Sequence, residues 1–157
     1  MEENKIKEFL IEAKKQTYAN ENVEKCNSSR NGSNDYEYSN DDMTYHDTYF
    51  GGTKFMGEEV VYNKESDTPI WGMNYYGVTL DENFSEEAMD KALRPALMLV
   101  GQDDIIPVRG PKEFINGEYK YTFEVSGNLE HFEGTETIWK NDNKIYTLKC
   151  QGGIIKR

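Results

Sequence analysis

Two glutamates in matching surroundings, Glu59 and Glu136, carry the strongest chemical signal in the chain. Phe55, Gly57, Glu59 and Val61 alternate around the first; Phe132, Gly134, Glu136 and Ile138 alternate around the second. Every second side chain of a strand points to one face, so a carboxylate is placed twice on an otherwise apolar surface. Burying an unpaired carboxylate costs several kcal/mol. Each acid therefore needs a cation, a hydrogen-bond donor or a raised pKa. Arg30, in Ser29-Arg30-Asn31-Gly32, and Arg109, in Arg109-Gly110-Pro111, precede the two sets of strands and are the candidate cations. Asp47 adds a third acid. It alternates with Tyr45 and Tyr49 where the second half has Tyr121, Phe123 and Val125. Trp71, Met73 and Tyr75 share a face, with Tyr146, Leu148 and Cys150 matching them, and supply large rings to a core or a cavity wall. Acids among aromatic rings suit a cationic or amphipathic ligand, through ion pairing and cation–π contact. A repeated glutamate also has a purely structural use, capping a turn or accepting from a tyrosine hydroxyl.

The elements that must position these residues follow from periodicity and punctuation. Ile6, Phe9, Leu10 and Ala13 form one stripe of an amphipathic helix over about residues 3–18. Residues 19–35 are rich in Asn, Ser, Gly and Glu and read as a flexible surface loop. Alternation predicts strands at about 36–39, 43–50, 55–63 and 69–79, with Gly51-Gly52 and Ser66-Asp67 as turns. Ser85 announces a second helix, with Glu86 and Glu87 at the positive end of its dipole. Phe84 and Met89 stand at the positions of a hydrophobic staple, and Pro95 should kink the helix or start a new turn. Strands resume at about 118–126, 131–139 and 144–151. Each half is thus a helix followed by three main strands, over about 3–79 and 85–153, which reads as one supersecondary unit used twice. The expected fold is a single α+β domain over residues 1–157. Its curved antiparallel sheet has six to seven strands, with two helices on one face enclosing a site.

Composition excludes several classes of function. The formal charge is −11, from 29 acidic and 18 basic residues, which repels phosphate backbones and anionic membranes; direct nucleic-acid binding is not expected. No apolar run approaches a membrane span, and the polar opening Met1-Glu2-Glu3-Asn4-Lys5 is unlike a signal peptide, so a cytoplasmic location is expected. Cys26 and Cys150 match no metal-ligand spacing, and only His46 and His131 could join them, so no metal and no cofactor is expected. No glycine-rich phosphate loop and no nucleophile–base frame is present. His46 and Asp47 are adjacent in a strand and face opposite ways.

Several runs together resemble a known family. Phe9-Leu10-Ile11-Glu12-Ala13-Lys14-Lys15, Asp35-Tyr36-Glu37-Tyr38, Tyr45-His46-Asp47-Thr48-Tyr49-Phe50-Gly51-Gly52 and Trp71-Gly72-Met73-Asn74-Tyr75-Tyr76-Gly77 are similar to an uncharacterised bacterial domain of unknown function. Arg109-Gly110-Pro111, Phe132-Glu133-Gly134-Thr135-Glu136 and Gly152-Gly153-Ile154-Ile155 belong to the same pattern. The resemblance implies a domain found alone or after a helix-turn-helix segment of transcriptional regulators. It supplies no catalytic residues. The chain is expected to open at that family's first helix, without a DNA-binding segment. Three functions remain in view. The first is a small-molecule binding or sensing domain using Glu59, Glu136, Trp71, Tyr75, Asp47, Arg30 and Arg109. The second is a protein-interaction module, with a separate regulator protein or a second copy in a homodimer as partner. The third is a small-substrate enzyme with Glu59 or Glu136 as acid or base.

Overall fold

The computed structural model describes residues 2–17, 22–81 and 84–157. The sheet forms because eight short alternating segments are strung on tight turns, and neighbours in sequence pair as antiparallel hairpins. Helix α1 (Glu2–Gln16) leads into β1 (Asn34–Ser39), β2 (Met43–Gly51), β3 (Lys54–Asn63) and β4 (Thr68–Thr79). A helical segment, α2, follows over 86–98, and then β5 (Glu113–Asn116), β6 (Tyr119–Asn128), β7 (His131–Lys140) and β8 (Asn143–Ile154). The strand order is β1-β2-β3-β4-β8-β7-β6-β5, so two four-stranded meanders join at their last strands. The architecture is α+β, with one antiparallel sheet of eight strands and two helical segments.

The sheet therefore has eight strands where alternation led to six or seven. The additional one is β5, four residues long and at the sheet edge, with too little alternation to register as a strand. Its hairpin is still written in the sequence. Asn116 pairs with Tyr119 across the two-residue turn Gly117-Glu118, and Gly117 takes φ 59°, as a turn with glycine in its first central position requires. The β7–β8 turn uses Asn141 and Asp142 at φ 48° and 65°, where both central residues take the left-handed conformation.

One face of the sheet is covered by the helices and forms the core. Tyr45, Val61, Trp71, Met73, Tyr121, Phe123, Phe132, Ile138, Tyr146 and Leu148 are buried there against Ile6, Phe9, Leu10 and Ala13 of α1 and Ala92, Ala96 and Leu97 of α2. Cys150 belongs to the same face, and burial pushes its thiol up to about 12. The other face lies open, with Met56 and Tyr76 about half exposed. Of the expected loop over 19–35, residues 19–21 lie outside the described residues, as does residue 18 of the expected first helix. The part of that loop nearest β1 is pinned by the buried Asp35, which accepts from Ser29 N and Oγ, Ser33 Oγ, His46 Nε2 and Thr48 Oγ1. Burial alone would raise that carboxyl, but these donors outweigh it and hold it well below the usual range.

Segment α2 is three pieces in succession: an α-turn Glu86–Ala88, a π-helical turn Met89–Leu93 and an α-helix Arg94–Met98. Ser85 occupies the N-cap with extended backbone but makes no side-chain capping bond. Pro95 is the second residue of the last piece, in the first turn where its missing N–H is tolerated. The carbonyl four residues earlier, on Lys91, accepts instead from Asn116 Nδ2 at 3.0 Å, which ties α2 to β5. Among the described residues no helix is long and apolar enough to cross a membrane.

Gly57 is one place where only glycine fits. A Cβ there would stand 2.4 Å from the Tyr75 hydroxyl and 2.6 Å from the Thr48 carbonyl oxygen. Gly57→Ala should therefore cost about 1–3 kcal/mol, as overpacking does, and should displace the Tyr75 hydroxyl. Denaturant unfolding measures the cost. An alanine variant as stable as the parent would show that the ring yields freely.

Candidate functional site

Glu59 and Glu136 sit on β3 and β7, and both are fully buried on the helix-covered face, Glu59 at 1% and Glu136 at 0% exposure. Their cationic partners come from outside the sheet. Arg109, in the loop after α2, grips Glu136 with two parallel bonds, Nε to Oε2 at 2.9 Å and a terminal nitrogen to Oε1 at 2.6 Å. Tyr121 donates to Oε2 at 2.5 Å and Tyr146 to Oε1 at 2.7 Å. The Gly110 N–H donates to the Tyr121 hydroxyl in turn. Both carboxylate oxygens are thus satisfied twice, which is what a buried ion needs to remain charged.

Glu59 is held differently. Its Oε1 receives Lys14 Nζ of α1 at 2.5 Å and the Tyr45 hydroxyl, whereas its Oε2 is buried and accepts no hydrogen bond from the described residues. Lys14 is itself fully buried. Burial lowers its pKa and the neighbouring Glu59 opposes that shift. Lys14 also lies about 6 Å from the ring centroids of Tyr45 and Trp71, within cation–π range.

Asp47 completes the group. It pairs with Glu59 across β2 and β3, so the two side chains stand next to one another on the same face. The Tyr75 hydroxyl donates to Asp47 Oδ1 at 2.7 Å. Burial first, and the charge of Glu59 second, push the Asp47 carboxyl up to about 7. Burial and the same two acids raise the Tyr75 hydroxyl well above its ordinary value, so it stays a donor. In the other half Phe123 pairs with Glu136, where Asp47 pairs with Glu59.

These residues open onto a partly open cavity of about 290 Å³ between the sheet and α2. Asp47, Glu59, Tyr75 and Arg109 belong to its lining, with Tyr36 and Tyr49 from β1 and β2, Phe84 just before α2, and Met89, Leu93 and Arg94 from α2. Rings continue along the wall: Phe84 stacks on Tyr146 at 5.7 Å, and Phe55 lies between Tyr146 and Tyr75 at 6.3 and 6.2 Å. Among the described residues no group of His, Cys, Asp and Glu is arranged to hold a metal ion.

The structure thus brings together Glu59, Asp47, Tyr75 and Arg109. Glu136 stands behind Arg109 and does not line the cavity. Trp71 is packed in the core, stacked on Phe132 at 6.0 Å with its Nε1 donating to the Leu129 carbonyl. Arg30 is on the opposite side of the sheet, paired with the exposed Glu58 at 2.9 Å. The cation expected of Arg30 is supplied by Lys14, which the sequence reading omitted although the signal exists. Ile6, Leu10, Lys14 and Thr17 fall at i, i+4, i+8 and i+11, and all four are buried.

Site and fold together define an α+β domain whose helices close one face of an eight-stranded antiparallel sheet over paired acids. The chain belongs to the family described as a domain of unknown function, DUF5680, which matches residues 47–155. The match begins at Asp47 and includes Glu59, Arg109 and Glu136, while Lys14 and α1 lie before it. No curated protein and no solved structure matches the chain.

Two consequences are measurable. An acid whose pKa is raised on folding from 3.8 to about 7 contributes stability that is fully present below the lower value and lost as pH rises through the upper. Between about pH 4 and 7 stability should therefore fall, at up to about 1.4 kcal/mol per pH unit. Asp47→Asn should flatten that decline in denaturant titrations at several pH values, and an unchanged slope would assign it to another group. Arg109→Met should cost about 3–5 kcal/mol, because it leaves Glu136 buried without its cation; a loss under 1 kcal/mol would show that Tyr121 and Tyr146 suffice.

Proposed function

We propose that this domain binds a small organic cation, or an amphipathic molecule with a cationic end, in the cavity beneath α2, and does not transform it. One observation carries the reading. Asp47 and Glu59 lie together at a cavity walled by aromatic rings, and Glu59 has an oxygen with no donor among the described residues. An ammonium or amidinium group would supply the charge and the N–H donors that this pair lacks, while its apolar body packs on the rings. The volume suits a ligand of one or two rings, at the small end of ligand sites. Catalysis has less support. The tyrosines around the acids are held protonated by burial and by the acids themselves, which makes them donors and not nucleophiles.

The same reading takes the chain as a helix-plus-strands unit used twice. Corresponding positions support it: Phe55 pairs with Gly77 as Phe132 pairs with Gly152. The register shifts after Val61 in one half and after Ile138 in the other. One unit's acid is sealed and the other's faces the cavity. A role as the sensing part of a bacterial regulator, in the cytoplasm, would follow from the family resemblance together with ligand binding.

A second reading, docking of another protein, is favoured by the open sheet face. There Phe50, Met56 and Tyr76 border a groove of about 960 Å³ that also includes Glu58, Glu124 and Glu133.

The test is a thermal-shift screen of protonated arylalkyl amines against alcohols and carboxylates of the same shape. Amines should raise the melting temperature by linkage, and Glu59→Gln, which keeps the shape and removes the charge, should weaken them about tenfold or more in calorimetry. No shift with any amine would dismiss the cationic ligand. Equal shifts with the matched alcohols would dismiss the role of the acids.

A further inference from the structure

We propose that a cationic ligand enters this site in exchange for a proton shared between Asp47 and Glu59, so that binding one cation releases one proton. The inference rests on the cation-binding reading above and adds its coupling to pH.

The first argument is a count of charges. Three carboxylates, Asp47, Glu59 and Glu136, are buried on one face of the sheet. Lys14 is bonded to Glu59, and Arg109 is bonded to Glu136 on both oxygens. The third acid, Asp47, has a tyrosine hydroxyl on one oxygen and no ion pair among the described residues. Two cations do not neutralise three buried anions, and an uncompensated buried charge neutralises itself by taking up a proton.

The second argument is the unmatched acceptor. Among the described residues Glu59 Oε2 is buried with no donor, and its cross-strand neighbour is the acid they leave without a cation. A proton on Asp47 resolves both at once, since a carboxylic acid donates one hydrogen bond and the carboxylate beside it lacks one. Like charges in contact cannot both be ionised cheaply, so the pair holds the proton in common.

The influences on Asp47 oppose one another. Burial raises its proton affinity most and Glu59 on β3 adds to that, whereas Lys14 of α1 and Arg109 of the loop after α2 lower it. Tyr75 on β4 donates to it and also lowers it. Tyr36 and Tyr49 line the cavity as neutral rings, and Arg94 of α2 is engaged by Asp90 at 2.6 Å. The balance sets the carboxyl at about 7, where a modest incoming charge tips it. An ammonium group brought beside the pair supplies a positive charge and N–H donors to the same oxygens. The proton on Asp47 then leaves to solvent, the acid becomes a carboxylate, and the site ends with three cations against three anions.

Isothermal calorimetry on the wild-type protein tests this with the arylalkyl amine of the screen that binds tightest. Titrations at pH 6.5 in two buffers of different ionisation enthalpy count the protons. About three quarters of a proton should be released there and almost none at pH 8.5, with affinity rising about tenfold from pH 6 to pH 8. Both conditions lie below the pKa of an alkyl amine, about 10, so the probe's own charge does not change. Asp47→Asn should bind more weakly, with no proton released and no pH dependence. Wild-type binding without proton release at pH 6.5 would overturn the exchange and leave the cationic site standing. Failure of every amine to bind would overturn the site and the exchange together. Because the wild-type proton count decides the matter, a variant that fails to fold does not.

Discussion

The cost of burying carboxylates under the helices is the constraint on which the rest of this structure depends. Each buried glutamate is neutralised by a cation that the sheet itself does not supply. Lys14 arrives from α1, and Arg109 from the loop that follows α2. The helical layer is therefore fixed to the sheet by ion pairs as well as by apolar contact, and both pairs are buried. A hydrophobic replacement of similar volume can match a buried pair in stability. What it cannot match is placement, because an ion pair fixes the position of two groups where Leu against Leu tolerates sliding. Lys14 sets the position of α1 in this way, and Arg109 that of the chain leaving α2.

The two acids differ in how completely they are answered. Glu136 receives four bonds on two oxygens, with Phe123 as its cross-strand neighbour. Glu59 receives two on one oxygen, with Asp47 as its neighbour. An acid beside Glu59, where Glu136 has an aromatic ring beside it, adds a buried charge with no ion pair among the described residues. It also leaves space beside the charge. A satisfied network stabilises and a half-satisfied one is costly, and the cavity beside the second is where the proposed ligand would complete it. Glu136 and its donors then read as the support that holds Arg109 at the cavity edge.

Much of this was legible in the sequence, for reasons particular residues show. The alternation of Phe55, Gly57, Glu59 and Val61 fixed both the strand and the face, because the side-chain period of a strand is two and one face is buried. Arg109 was legible as a cation because few arginines precede the second set of strands. Lys14 was not, because a lysine one residue past the apparent apolar stripe is usually at a solvated edge. Only the three-dimensional position of α1 over Glu59 makes it a core residue. Arg30 was misleading for the converse reason: sequence proximity to a strand set says nothing about which side of the sheet a loop crosses. Strand β5 was hidden by its brevity, though the glycine of its turn was visible. The strand order, and with it the meeting of β4 and β8 at the centre, is a property of long-range pairing that no local pattern encodes.

The two walls of the cavity differ in stiffness, and this bears on how a ligand would be accommodated. The floor is three adjacent strands, with Asp47 opposite Glu59, Tyr75 opposite Gly57, and Gly57 leaving room for the tyrosine to reach its acid. Charged groups on such a floor are held in place before a ligand arrives, which is where preorganisation gains most. The roof is the least regular helix of the molecule. Its π-helical turn contributes Met89 and Leu93 to the cavity, and Pro95 interrupts its hydrogen bonding directly afterwards. Methionine fits many shapes, having an unbranched and polarisable side chain, and π-turns recur at functional sites. The bond from Asn116 to the Lys91 carbonyl limits how far that segment can depart. In a domain that binds cations of varied outline, the charge would be read by the sheet and the shape accommodated by α2.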